Sequence, residues 1–337
     1  VSLNVSHTRT FAKVPVAVTE VSFGAAPIGN RFSAMSEDFA QTLIGHAWES
    51  GVRYFDTAPM YGNGLSEHRL GHFLLQHERN DFVLSTKVGR TLHPAARGSF
   101  EAWPWVEPPP MRAEFDYSRD AAKRQIHESL HRIMTDRIDI AFLHDVDSFI
   151  HGADYEDRMV ESLEGAVPAM IAMREEGVIR AVGAALNEAS ALRRIVEQSD
   201  IDCLLVAGRY TLLDHSLAKE FMTTCSERGI AVIAGGVFNT GILASDSGRF
   251  NYGEPSAEIV VEVDRIKRRC TEFSVSLAAA AIQFAAAHPA VVSVCLGASS
   301  VAQQQQNFTS AAEVIPADFW TALREDGVIQ DWAPTPA

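Results

Sequence analysis

Eight short apolar runs, most of them followed by a stretch with helical periodicity, constrain this chain more than any other feature. The runs are Val21–Gly24, Tyr54–Asp56, Val83–Thr86, Ile138–Leu143, Ala181–Gly183, Cys203–Val206, Ala231–Ala234 and Val292–Leu296. Continuous apolar strands of this length suit a parallel sheet covered on both faces. Between them lie Ser36–Ser50, Ser118–Ile133, Tyr155–Glu176, Ala189–Gln198 and Ser256–His288, several opening and closing on helix-capping residues. The alternation predicts a parallel α/β fold. The pattern alone leaves open a (β/α)₈ barrel, also called a TIM barrel, and a doubly wound sheet. A chain of 337 residues is long enough for two average domains, but barrels of this size are commonly one, and 1–337 reads as a single domain.

Two segments break the rhythm. Phe11–Glu20 reads as a hairpin that plugs the barrel floor. Arg90–Tyr117 carries Trp103, Trp105 and three consecutive prolines, Pro108 to Pro110, and reads as a long loop. Long loops in compact domains are often functional. An aromatic lid over the active face and an ordered loop packed on the rim both fit it.

Four polar residues stand at or just beyond the ends of the second, third and fourth runs: Asp56, Tyr61, Lys87 and His144. In a parallel barrel those strand ends open onto one face, where catalytic groups collect. Singly, each has a plain structural role: a cap, a packing ring, a solvent-reaching lysine, a core histidine. Together they form a set suited to proton transfer. A tyrosine acts as acid or base only if its pKa, ordinarily near ~10, is brought toward working pH. An ammonium beside it, such as Lys87, favours the phenolate. Asp56 can hold that lysine, and His144 can orient the reacting oxygen.

These residues and their contexts, Tyr54-Phe55-Asp56-Thr57-Ala58-Pro59-Met60-Tyr61-Gly62, Leu84-Ser85-Thr86-Lys87-Val88-Gly89 and Ile140-Ala141-Phe142-Leu143-His144-Asp145, resemble the aldo-keto reductase superfamily over most of the chain. The resemblance implies the barrel, an oxidoreductase activity and a nicotinamide dinucleotide laid across the carboxyl ends of the strands. By motif match it assigns the cofactor to Asn187, to Gly235, Val237, Phe238 and Asn239, and to Gly297, Ser299, Gln303, Gln306 and Asn307. NADP-preferring relatives place Lys or Arg at positions like Gly297, Ser299 or Gln303. All three lack charge here, and a 2′-phosphate is best held by charge-assisted bonds, so NAD is the expected cofactor.

Further stretches resemble the aldose 1-dehydrogenase branch: Gly24-Ala25-Ala26-Pro27-Ile28-Gly29-Asn30, Phe115-Asp116-Tyr117-Ser118, Ala207-Gly208-Arg209-Tyr210-Thr211-Leu212-Leu213-Asp214 and Gly235-Gly236-Val237-Phe238-Asn239. The branch includes L-fucose and D-threo-aldose dehydrogenases and oxidises a cyclic hemiacetal to a lactone. Its pyridoxal 4-dehydrogenase member does the same to pyridoxal. Ile28, Met60, Trp103, Trp105 and Tyr210 are the expected substrate contacts. Met60 and the tryptophans favour an aromatic substrate, whereas the branch as a whole favours a sugar. Some barrels of the superfamily sense cofactor as channel subunits instead, a third reading.

Two short motifs are set aside. His127-Glu128-Ser129-Leu130-His131 matches the zinc-protease pattern, yet Ile126, Leu130 and Ile133 form the apolar stripe of that helix and leave both histidines largely outside it. No metal is expected. Gly62-Asn63-Gly64 begins like a dinucleotide fingerprint but lacks the third glycine.

A net charge of −14 argues against nucleic acid or an anionic membrane as partners. No apolar run is long enough to span a bilayer. Cys203, Cys225, Cys270 and Cys295 are widely spaced with no Cys-x-x-Cys pair, which fits free thiols in a reducing, cytoplasmic setting. The expected partner is a small-molecule substrate.

Overall fold

The computed structural model describes residues 2–336 apart from 218, 246, 247 and 252. Its twelve strands are β1 (Thr8–Thr10), β2 (Ala17–Thr19), β3 (Val21–Gly24), β4 (Tyr54–Asp56), β5 (Val83–Val88), β6 (Arg90–Pro94), β7 (Met111–Phe115), β8 (Ile138–His144), β9 (Ile179–Leu186), β10 (Cys203–Ala207), β11 (Ala231–Gly235) and β12 (Val291–Leu296). Eight of them, in the order β10-β11-β12-β3-β4-β5-β8-β9, close into a parallel barrel. Closure rules out the doubly wound sheet. The helices include α1 (Glu37–Glu49), α2 (Leu65–Leu74), α3 (Arg119–Ile133), α4 (Ser148–His151), α5 (Tyr155–Glu161), α6 (Val167–Glu175), α7 (Ala189–Gln198), α8 (Lys219–Glu227), α9 (Ala257–Phe273), α10 (Leu277–Ala286), α11 (Val301–Ala312) and α12 (Ala317–Glu325).

Side-chain alternation sorts the strands into two cores. An outer core joins strands to helices through residues such as Phe55, Leu84, Ala141 and Leu143. The barrel interior holds Tyr54, Ile140, Phe142, Cys203, Leu205 and Ile233, joined by Phe11, Val16 and Val18. The amino-terminal hairpin has its arms at Thr8–Thr10 and Ala17–Thr19, with residues 11–16 as the turn, and it packs Phe11, Val16 and Val18 into that interior.

Three expected elements differ. The stretch after the third barrel strand is a loop only in its middle: β6 and β7 pair as an antiparallel hairpin, Arg90 opposite Phe115 and Pro94 opposite Met111, and residues 95–110 connect them. The expected Ser256–His288 helix divides, because Ser274 turns into the left-handed region at φ 55 and Ser276 caps a new helix. The Tyr155–Glu176 stretch contains a π-helical turn at Ser162–Ala166, where one extra residue is accommodated. His127 and His131 lie on the exposed side of α3, while Ile126, Ser129 and Ile133 are buried. Among the described residues no helix is long and apolar enough to cross a membrane, and no cluster of three or more His, Cys, Asp or Glu could hold a metal.

Candidate active site

Register and alternation bring the tetrad together. Asp56 stands opposite Ser85 across β4 and β5, two residues before Lys87, which stands opposite Phe142 on β8. Two residues beyond Phe142 comes His144. Steps of two keep side chains on one face, so Asp56, Lys87 and His144 all point to the barrel mouth.

Lys87 is buried at 2% exposure. Its Nζ donates to Asp56 Oδ1 and Oδ2 at 2.9 and 2.7 Å and to the carbonyl of Thr57 at 2.7 Å. All three ammonium protons are thus engaged. Asp56 Oδ1 also accepts from Ser85 Oγ at 2.6 Å. Burial disfavours the Lys87 ammonium, but Asp56 and Tyr61 outweigh it and hold the group above the ordinary lysine value. Within a pair this buried the Lys87 ammonium stays charged and fixed in place, since losing either charge would strand the other in low dielectric.

Tyr61 arrives on the loop after β4. Its backbone is seated by two glycines: a Cβ on Gly29 would sit 2.7 Å from the Tyr61 carbonyl carbon, and one on Gly62 (φ 65) would sit 2.4 Å from the Gly29 oxygen. Beneath, Ser66 Oγ donates to Ala25 O at 2.8 Å, and Thr86 Oγ1 donates to the buried Glu67 at 2.7 Å. Lys87 Nζ lies 4.7 Å from the Tyr61 ring centre, and the His144 ring crosses it nearly perpendicularly at 6.2 Å. Burial pushes Tyr61 up to about 12, with Lys87 offsetting part of the rise and Asp56 adding to it. The expected lowering does not hold: desolvation of the phenol exceeds the attraction of the ammonium, and Tyr61 is protonated at neutral pH. Burial pushes His144 down to about 3, opposed by Asp145 and assisted by Lys87 and Arg90, so the imidazole is neutral.

Trp105 forms one wall. It is buried at 8% exposure, and its ring lies 5.7 Å from Tyr61. The tip of the β6–β7 hairpin is pinned there, with Phe32 N donating to Pro104 O at 2.8 Å and Val106 N donating to Asn30 O at 2.9 Å. Trp103 is 70% exposed and meets Phe32 at 5.7 Å, on the outer side of the tip. Met60, next to Tyr61, is partly open. Two expected substrate contacts are corrected. Ile28 is fully buried in the outer core. Tyr210 is buried in the outer core against Phe284, His288 and Trp332.

The positions expected to meet the cofactor follow β9, β11 and β12, in the arc of the barrel that runs β9-β10-β11-β12. The Asn187 backbone is fixed by Asp147 and Arg209, and its side-chain amide has no hydrogen bond among the described residues. Gly235 ends β11, where a Cβ would come within 3.1 Å of Leu205 Cδ2. Phe238 is partly buried. Val237 is buried at 1% exposure, so its side chain faces the core. Asn239 is likewise committed inward: it accepts from Thr211 Oγ1 at 2.6 Å and donates toward Gly208 O and Asn251. These two can offer a ligand backbone at most. Beyond β12, the Gln303 side chain folds back onto Ser299, accepting from its N and Oγ at 2.8 and 3.1 Å. Gln306 is exposed, and Asn307 Nδ2 reaches Gly297 O at 3.4 Å. An uncharged, donor-rich rim at the start of an α-helix suits a dinucleotide's polar groups.

The residue set and its seating decide the family. A model described as Aldo/keto reductase family matches residues 20–326. The chain belongs to the aldo/keto reductase family. It is 40% identical to a D-threo-aldose 1-dehydrogenase from Pseudomonas sp, over 96% of this chain and 98% of that one. It is 38% identical to a pyridoxal 4-dehydrogenase from Microbacterium luteolum, over 97% of this chain and 99% of that one. The holo form of an aldo-keto reductase from Bacillus halodurans superposes with a TM-score of 0.75 at 24% identity, covering 96% of this chain and 97% of that structure. The protein is an oxidoreductase of this family, and aldo/keto reductases use nicotinamide cofactors.

Sequence reasoning missed several members of this aldo/keto reductase site. Asp145 lies 3.2 Å from His144 Nε2 and 2.8 Å from Arg90 Nη1. Cys295 is near enough to feel Asp56 and Lys87, and burial pushes its thiol up to about 12. The available signal was position: each stands at or just beyond the carboxyl end of a barrel strand.

Proposed function

We propose that this protein is an NAD-dependent dehydrogenase that oxidises the hemiacetal carbon of a cyclic aldose, of the L-fucose or D-threo-aldose type, to a lactone. The observation that carries this is the buried Lys87–Asp56 pair against Tyr61, with a neutral His144 across the ring, in a chain 40% identical to a D-threo-aldose 1-dehydrogenase. Asp56, Tyr61, Lys87 and His144 are the catalytic residues of this reading. The nicotinamide, when bound, accepts the hydride. Tyr61 Oη takes the proton of the substrate hydroxyl as the anomeric C–H breaks and the C=O forms. Lys87 stabilises the phenolate that takes this proton, and the phenol is what the step leaves. Asp56 keeps Lys87 in place, and His144 orients the reacting oxygen. Asn187, Gly235, Phe238, Gly297, Ser299, Gln303, Gln306 and Asn307 would hold the cofactor. In the reverse direction Tyr61 is the acid, and its value near 12 leaves it protonated and ready.

NAD is favoured over NADP because Gly297, Ser299 and Gln303 carry no cation, and Gln303 is turned back onto Ser299. A second reading, oxidation of pyridoxal to 4-pyridoxolactone, is favoured by Trp105, a flat wall 5.7 Å from Tyr61, and by the relative at 38% identity. The chemistry is shared and only the ring differs.

The test is NADH formation at 340 nm with L-fucose, D-arabinose and pyridoxal, each with NAD and NADP. Turnover of sugars with NAD supports the aldose reading. Turnover confined to pyridoxal replaces it with the second. Cofactor binding without any turnover supports a cofactor-sensing protein. Comparable efficiency with NADP removes the NAD assignment. Replacing Gln303 with Arg should raise kcat/KM for NADP by about 10-fold, since one charge-assisted phosphate contact contributes roughly 1.5 kcal/mol.

A further inference from the structure

The aromatic wall of the mouth is tied down by a single side-chain amide. Val106, the residue after Trp105, has both of its backbone groups on Asn30. Its N–H donates to Asn30 O at 2.9 Å, and its carbonyl accepts from Asn30 Nδ2 at 3.1 Å. Asn30 Oδ1 accepts from Met35 N at 3.0 Å and from Arg69 Nη1 at 2.8 Å. One amide thus joins the β6–β7 connection, the β3–α1 loop and α2. Its partners settle its orientation, since reversing it would set Nδ2 against two donors and Oδ1 against a carbonyl. Asn30 is buried and left-handed at φ 63, a conformation asparagine adopts more readily than most residues. Arg69 is fixed in turn by Ile28 O, Met35 O and Glu37. Gly29, immediately before Asn30, packs against the Tyr61 backbone. The segment that seats the phenol therefore also holds the wall facing it.

We infer that Asn30 is a positioning residue for substrate selection: its amide holds Trp105 against Tyr61 and so fixes the width of the opening that a ring-shaped substrate enters. Backbone bonds of the Arg31–Trp105 bridge fasten the same segment, Phe32 N to Pro104 O and Val106 N to Asn30 O. Almost any residue at 30 and 32 supplies those. The bond from Nδ2 to Val106 O is the one that the side chain at 30 controls. Only an amide fills the place, because it must accept from Arg69 and Met35 and donate to Val106 at once. Aspartate has the same shape but only acceptors. Beside the Arg69 guanidinium it would be ionised, and its second oxygen would repel the Val106 carbonyl. Trp105 is buried at 8% exposure with its ring 5.7 Å from Tyr61, so slack at Val106 is slack in the wall itself. The role deepens the dehydrogenase reading and rests on it for its kinetic consequence alone.

The first measurement is backbone hydrogen exchange of the free protein by NMR, with the Val106 amide as probe. In the unaltered protein this amide should exchange as slowly as those of the β6–β7 ladder, and exchange at the rate of an open chain would overturn the inference. Asn30→Asp keeps the left-handed backbone and both bonds to Oδ1 but cannot donate to Val106 O. It should lower the protection of Val106 by about 10-fold, the weight of one hydrogen bond. It should also raise KM by about 5-fold with kcat within about two-fold. In a Trp105→Ala background it should add nothing to KM, because the two residues act as one unit. Unchanged protection at Val106 would overturn the inference, and so would a KM effect that persists in full without Trp105. Exchange needs no substrate. A protein that oxidises none of the compounds tested would remove the dehydrogenase reading, and Val106 would still decide whether Asn30 is the anchor.

Discussion

At the scale of single residues, Tyr61 sets the pH behaviour. Its phenol is raised to about 12 because burial outweighs the attraction of Lys87. A base must be ionised to accept a proton, so kcat/KM for oxidation should rise with pH through the alkaline range. Reduction needs the protonated phenol and should be flat there or fall. An oxidation profile that levels off below neutral pH would exclude Tyr61 as the base. Tyr61→Phe keeps the ring and removes the proton carrier, and should lower kcat by 10²- to 10⁴-fold, the usual scale of general acid–base catalysis. Near-normal turnover in that variant would overturn the assignment. Lys87 has a double role, because its three bonds to Asp56 and Thr57 also satisfy a buried carboxylate. Lys87→Met should lose activity and also about 3–5 kcal/mol of stability, as expected when one partner of a buried ion pair is removed. Chemical denaturation separates the two effects.

Among the elements, the β6–β7 hairpin distinguishes this mouth. It extends the strand that carries Lys87, turns at Gly89, and brings Trp105 back over Tyr61. Its tip is fastened to the β3–α1 loop by backbone bonds at Asn30 and Phe32. That loop is itself clamped by the buried Arg69, which donates to Ile28 O, Asn30 Oδ1 and Met35 O. A wall held this way is preorganised, and a flat substrate meets it without ordering a loop. Trp105→Ala should raise KM by about 10-fold, since an aromatic contact contributes roughly 0.5–1.5 kcal/mol beyond its buried area. The loss should be larger for pyridoxal than for a sugar. Trp103→Ala, on the exposed side of the tip, should change KM little, and steady-state kinetics of the two variants compares the two faces of the hairpin directly.

For the whole molecule, stability should fall in acid through buried neutral histidines. His144 is pushed down to about 3 and His288 to about 4, burial being the main cause for both. Both folded values lie below the unfolded one, near ~6.5. The unfolded chain therefore binds more protons between the two, and stability present above pH 6.5 is lost as pH falls through that window. By pH 4.5 each group should contribute roughly 2.5 kcal/mol of destabilisation. His288→Gln should flatten the fall in Tm between pH 7 and 4.5, and an unchanged slope would show that His288 titrates near its ordinary value.

Much of this architecture was legible in the chain. The eight runs became the eight barrel strands, with Val21–Gly24 and Tyr54–Asp56 ending where the apolar pattern ends. A buried parallel strand declares itself through local composition, because both its faces lose water. The tetrad was legible for a related reason: a polar residue closing an apolar run has few places to go but the mouth. Other features depended on what lies across space. The β6–β7 pairing joins segments about twenty residues apart, and no run of either resembles the barrel strands. Ile28 and Tyr210 have the composition of substrate contacts, and only their neighbours, the outer core and Phe284, show that they face away. The Asp145–Arg90 pair links residues from two strands through one left-handed backbone angle. Sequence determined the barrel and singled out the four polar residues that meet at its mouth, because burial acts strand by strand. Tertiary structure decided the aromatic wall, the inward commitment of Asn239 and the ionisation of Tyr61. Distances between side chains and the water excluded around them exist only once the barrel has closed.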